Sequence, residues 1–163
     1  MNASIGFSNI LVPLDGSSTA EAAIPYALDL AEKYRSRVVL YRVATVPPAH
    51  WGSIEIPLMG THLGTTGTVL SLQNHEIYLC QEYLKGVLER FSNPAVTMET
   101  QHDAGQPADL IITKAAELGD AVIVISSHGR DGLGRWLLGS VAEKVARHAS
   151  GPVMILRAPG AVH

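Results

Sequence analysis

The sequence predicts an α/β fold built on a doubly wound parallel sheet, and three observations carry that prediction. Apolar, β-branched runs alternate with amphipathic stretches along the whole chain, giving five strands and four helices. The run Ala121–Ile125 (AVIVI) is continuously apolar, as a strand covered on both faces must be. Its carboxyl end opens straight onto a glycine-rich stretch that leads into another helical pattern, the place where α/β proteins hold ligands. At 163 residues the chain reads as a single domain, 1–163, long enough to bury a core without disulfides or metals.

Asn9–Leu14 is the first strand. A helix follows over Thr19–Tyr34, for which Ser18-Thr19-Ala20-Glu21 fits a capping box, and Pro25 should kink this helix or move its start later. Arg37–Val43 is the second strand. From Ala44 to Thr68 periodicity disappears while Pro47, Pro48, Pro57, Gly52, Gly60, Gly64 and Gly67 accumulate, which predicts a long flexible loop. The loop lacks lysine and arginine, and Trp51, Ile54, Ile56, Leu58 and Met59 need a surface to lie on. Two readings stay open: an insertion lying loosely over the domain, or a lid or partner contact.

Helical spacing resumes over Val69–Phe91. Cys80 falls in register there with Ile77, Leu84, Val87, Leu88 and Phe91, so it reads as a small buried hydrophobe rather than a redox sensor. A lone cysteine excludes an internal disulfide and suits the reducing cytoplasm. The third strand, Val96–His102, alternates in a way that implies a less buried face or the sheet's edge. Pro107–Leu118 is the next helix, Ala121–Ile125 the fourth strand, Ser140–Ala149 the last helix and Val153–Leu156 the last strand.

Between the fourth strand and the last helix, Gly129, Gly132, Gly134 and Gly139 allow backbone angles and close approaches that a Cβ forbids. Ser140 is placed to cap the helix, and Val141, Val145 and Ala149 share its apolar face. Free N–H groups and the helix dipole favour an anion at this terminus, by about 0.3–1 kcal/mol for an exposed charge. A mobile surface loop is the plainer alternative. Gly134–Ser140 has the Walker glycine spacing but no lysine, and Gly129-x-x-Gly132-x-Gly134 reverses the dinucleotide fingerprint.

A net charge of −3 argues against nucleic acid as the partner. Between His128 and Arg157, however, five basic residues (Arg130, Arg135, Lys144, Arg147, Arg157) face two acidic ones (Asp131, Glu143), so positive charge gathers beside the glycine loop. Arg130, directly after Gly129, is the candidate phosphate contact, whereas Lys144 and Arg147 fit a solvated helix face. Met1–Ser8 lacks the basic start and apolar core of a signal peptide, and no apolar run approaches bilayer length. The histidines show no metal-ligand spacing; His128 reads as local hydrogen bonding before it reads as catalytic.

Ser126–Arg157 (SSHGRDGLGRWLLGSVAEKVARHASGPVMILR) resembles the carboxyl-terminal signature of the universal stress protein family. Ile10–Ser17 (ILVPLDGS) is similar to its opening strand and aspartate turn, and His102–Pro107 (HDAGQP) to the glycine turn before its third helix. The resemblance implies a Rossmann-like sheet of order 3-2-1-4-5, similar to adenine nucleotide hydrolase folds, which places the ends of strands one and four together at a switch point. It also implies ATP, with Mg²⁺ arriving on the phosphates.

In nucleotide-binding members the pattern is Gly-x-x-Gly, nine residues, then Gly-Ser or Gly-Thr. Ser126 stands here in place of the first glycine, a departure shared in kind by members that do not bind ATP; its hydroxyl can still donate to a phosphate or ribose oxygen. Matched position by position, Pro13 and Asp15 take the adenosine side, with Asp15 as acceptor, and Val43 takes the adenine contact. Ile125 and Val141 close the apolar part, while Gly129, Gly139 and Ser140 hold the phosphates.

The functional expectation is an ATP-binding stress-response regulator with slow or no hydrolysis, a cytoplasmic homodimer paired through Val153–Leu156. The alternatives are a family member acting through protein contacts and an adenine-nucleotide hydrolase. Against the last, the Ser-Gly-Gly-x-Asp-Ser loop expected after strand one is replaced by Leu14-Asp15-Gly16-Ser17-Ser18.

Overall fold

The computed structural model describes residues 6–45, 65–127 and 138–157. Five parallel strands form one sheet in the order β3-β2-β1-β4-β5: β1 Asn9–Leu14, β2 Arg37–Ala44, β3 Met98–Ala104, β4 Ala121–Ser126 and β5 Val153–Leu156. The helices are α1 Ser18–Glu21, α2 Ile24–Tyr34, α3 Thr65–Phe91, α4 Pro107–Leu118 and α5 Ser140–His148.

Strand periodicity of two divides the core into two layers. Ile10, Val12 and Leu14 of β1, Val38 and Leu40 of β2, and Val122 and Val124 of β4 pack against α1, α2 and α3 through Ala20, Ala27, Ala31, Leu84 and Val87. The intervening residues Leu11, Val39, Tyr41, Ile123 and Ile125 pack against α4 and α5 through Ala108, Ile111, Ala142 and Val145. Helices on both faces explain why β1 and β4 are buried at every position. Cys80 is buried in α3, one turn before Leu84, as its register predicts.

Several boundaries differ from the sequence reading, each for a local reason. The predicted first helix is two: α1 ends at Glu21, and α2 restarts at Ile24 with Pro25 in its first turn, where the missing N–H costs nothing. The cap of α1 is Ser17, one residue before the expected Ser18; its hydroxyl accepts from Ala20 N–H at 3.1 Å. Glu21, expected to complete a capping box, instead turns toward α3. β3 starts two residues later than Val96, because Val96 N–H and Ala95 N–H both close a turn on Asn93. It is an edge strand, as its alternation implied. The predicted loop is shortened at both ends, since Ala44 pairs with Ala104 and α3 begins at Thr65. The rest of that loop, residues 46–64, lies outside the described residues.

Candidate functional site

The sheet changes its winding direction between β1 and β4, and there its pairing stops early. β1 pairs with β2 as far as Leu14 and Arg42, but with β4 only as far as Leu11 and Ile123. Pro13 supplies a reason. Asn9 N–H donates toward β4, to Asp120 O at 3.2 Å, so the nitrogens of residues 11 and 13 point the same way. Proline has no hydrogen there, and the ladder ends where the next bond would form. β4 meanwhile stays paired with β5 to Ser126 and Leu156. The ends of β1 and β4 are therefore unpaired with each other beyond Leu11 and Ile123, at the position where doubly wound sheets bind their ligands.

On one side of this switch point stands the turn after β1. Asp15 Oδ1 accepts two hydrogen bonds from Ser17, from its N–H at 2.9 Å and its hydroxyl at 2.6 Å. The same hydroxyl accepts from Ala20, so Asp15, Ser17 and the start of α1 form one connected unit. Gly16 between them has φ +93°, a left-handed conformation that glycine adopts without strain. Behind the turn, Tyr83 of α3 donates to Glu21 Oε1 at 2.9 Å. Burial holds the Tyr83 phenol well above the usual tyrosine range, the bond to Glu21 adds to this, and the charge of Asp15 pushes the same way.

On the other side stand the end of β4 and the start of α5. Ser126 and Ser127 are buried. Ser127 N–H donates to Leu156 O at 2.7 Å, and Ser127 O accepts from Gly139 N–H at 2.8 Å, which pins the start of α5 to the end of β4. The first intrahelical bond of α5 runs from Glu143 N–H to Gly139 O. The N–H groups of Ser140, Val141 and Ala142 therefore precede the helix's own bonding. Gly139, not Ser140, is the cap residue, and it provides no side-chain cap. This corrects the sequence reading twice, because Ser140 is the first helical residue and the Gly139 amide is turned inward to Ser127.

Pro13, Asp15, Ile125, Ser126, Gly139, Ser140 and Val141 thus sit at or beside the ends of adjacent strands β1 and β4. Val43 lies one strand away near the end of β2, half-buried on the face that packs toward α4. Ile125 and Val141 share that layer. Gly129 and Arg130, with His128, lie outside the described residues. Arg42 went unnoticed in the sequence: its guanidinium lies 4.5 Å from the Tyr83 ring centroid, beside Gly16. An alternating strand pattern marks Arg42 only as one polar residue and carries no trace of that long-range contact.

The sheet order and the helices on both faces define a doubly wound α/β protein, a class whose ligands bind at the switch point. The model of the universal stress protein family matches residues 6–157, and the chain belongs to that family. Among curated relatives, a universal stress protein of Methanocaldococcus jannaschii is 30% identical over 94% of this chain and 84% of its own length. The Bacillus subtilis universal stress protein YxiE is 28% identical over 93% and 99%. Among solved structures, UspA from Lactobacillus plantarum superposes with a TM-score of 0.76 at 21% identity, covering 93% of this chain and 99% of its own. Two further neighbours, both at TM-score 0.57 and 20% identity, are a universal stress protein in complex with cAMP and one from Archaeoglobus fulgidus in complex with dAMP. They cover 94% and 93% of this chain, and each 98% of its own.

Proposed function

We propose that this chain is an ATP-binding regulatory module whose nucleotide-bound state is the signal, with slow hydrolysis or none. The observation that carries the reading is the interrupted β1–β4 ladder, with the Asp15 turn on one side and, on the other, a helix start whose cap residue Gly139 offers no side-chain bond. An adenine nucleotide needs an acceptor at its base or ribose and amide donors at its phosphates, and the two sides supply these separately. Asp15 faces the first task. The Ser140, Val141 and Ala142 amides and the Ser140 hydroxyl suit the second, joined by Gly129 and Arg130 from the glycine loop. Val43, Ile125 and Val141 offer the apolar contacts, and Gly139 gives close approach without donating its own amide. The cAMP and dAMP complexes of neighbours in fold support adenine as the base.

Mg²⁺ would neutralise and bridge phosphate oxygens when bound. Among the described residues no group of three histidine, cysteine, aspartate or glutamate side chains gathers to hold a metal. The absence of a Walker lysine from Gly134–Ser140 is the reason to expect little hydrolysis. Among the described residues, no helix is long and apolar enough to cross a membrane. A cytoplasmic homodimer paired through β5 completes the proposal. Ser126 in place of glycine favours the second reading, a member of the family acting through protein contacts alone.

Calorimetric titration with ATP and Mg²⁺ separates the two. The wild type should bind and Gly139→Val should not, with the variant's circular dichroism unchanged. Equal heats from both proteins would remove the phosphate role of the α5 start, and no heat from either would leave the protein-contact reading.

A further inference from the structure

We infer that Arg42 is the positioning residue of the Asp15 turn and thereby sets how tightly the base end of a nucleotide is held, an inference that rests on the adenine-nucleotide reading above. Arg42 is the β2 partner of Leu14, the last residue of β1, and lies half-buried on the α3 side of the sheet. Val43 points to the other side, so Arg42 acts on the site from behind. A β-carbon at Gly16 would stand 3.3 Å from Nη2, 3.5 Å from Cζ and 3.6 Å from Nη1 of Arg42. Three near-equal distances mean that the guanidinium presents its flat face to the turn; an approach by the forked edge would leave Cζ the farthest.

The same guanidinium is 4.5 Å from the centre of the Tyr83 ring. Tyr83 is fixed in turn, since Glu21 Oε1 accepts from its hydroxyl and from Arg90 Nη2, both at 2.9 Å. Arg42 thus stands beside Gly16 with only the space of a β-carbon between them, and a line of contact runs on from Arg42 through Tyr83 to Glu21 and Arg90, tying β2, α3 and α1 together behind the Asp15 turn. Gly16 holds a left-handed conformation at the centre of this turn, and its neighbours on either side are the two residues joined by the Asp15–Ser17 bonds. A shift of Arg42 moves the aspartate. Lysine keeps the charge but has no planar face to lie against a glycine and a ring.

The test compares wild type and Arg42→Lys for binding of Mg·ATP and of inorganic tripolyphosphate, with hydrogen exchange of the Ser17 amide followed by NMR. The expected result is ATP binding weakened about tenfold, the size of one lost partly buried cation–π stack, with tripolyphosphate affinity unchanged and the Ser17 amide exchanging faster. In an Asp15→Ala background, Arg42→Lys should have no further effect on ATP. Parallel losses of both ligands, or an unchanged Ser17 amide, would make Arg42 an ordinary packing residue. ATP binding undiminished by Arg42→Lys would overturn this inference alone, whereas a wild type that binds no ATP would overturn it together with the proposed function. Should Arg42→Lys fail to fold, Tyr83→Leu removes the same stack and is judged by the same readings.

Discussion

Asp15 Oδ1 accepts two bonds from Ser17, and those bonds orient the carboxylate in the turn. Asp15→Ala should weaken ATP by about tenfold to a hundredfold, as the loss of a hydrogen bond to a charged acceptor does, and leave tripolyphosphate binding unchanged in parallel titrations. Equal losses for the two ligands would return Asp15 to simple turn chemistry. Residues whose role is local were legible in the sequence: Asp15 before Gly16, Pro25 as a helix break, Cys80 in a helical register. Ser17 as the cap was misplaced by one position, because Ser17 and Ser18 offer the same hydroxyl and only the backbone of Ser17 is extended. The placement of Arg42 and Glu21 was not legible, since each is held against Tyr83, 41 and 62 positions further along the chain.

At the scale of elements, the carboxyl ends of β1 and β4 matter more than either strand's interior. Proline at position 13 reads in the sequence only as part of a motif; in the sheet it is the missing donor that lets the ladder open. The last strand presents the converse case. β5 pairs with β4 along one side only, and Met154 is 36% exposed on it. An open apolar edge of this kind invites a second copy. Ile155 packs into the core layer beneath α5, so the informative substitution is at Met154. Met154→Lys should convert a dimer to a monomer in sedimentation velocity while keeping the fold; a persisting dimer would point to another interface. The strand limits of β5 agree with the sequence reading because Gly151-Pro152 closes the preceding helix unambiguously, whereas α3 carries no comparable start signal and its first residues were read as loop.

Across the whole molecule, the alternation of apolar runs was enough to read a doubly wound sheet, but not the order of its strands. Periodicity records which residues are buried and not which strand lies beside which, and the order 3-2-1-4-5 rested on the family resemblance. Two tyrosines couple the fold to alkaline pH. Burial holds the phenols of Tyr41 and Tyr83 far above their ordinary range, reinforced by hydrogen bonds to Asp103 and Glu21. The unfolded chain releases those protons near pH 10 while the folded chain keeps them, so the protonated tyrosines' contribution is complete below about pH 10 and is lost as pH rises beyond it. Urea unfolding between pH 9 and 11 should show stability falling, and Tyr83→Phe should make the fall shallower. An identical slope in the variant would remove Tyr83 from the account.

The central claim is that the opening between β1 and β4 holds an adenine nucleotide, base toward Asp15 and phosphates toward the start of α5. A crystal grown with saturating Mg·ATP tests it most directly. The account predicts density for the nucleotide spanning Asp15 and Ser140; well-ordered crystals in which the protein's own side chains fill that opening, with no nucleotide there, would contradict it.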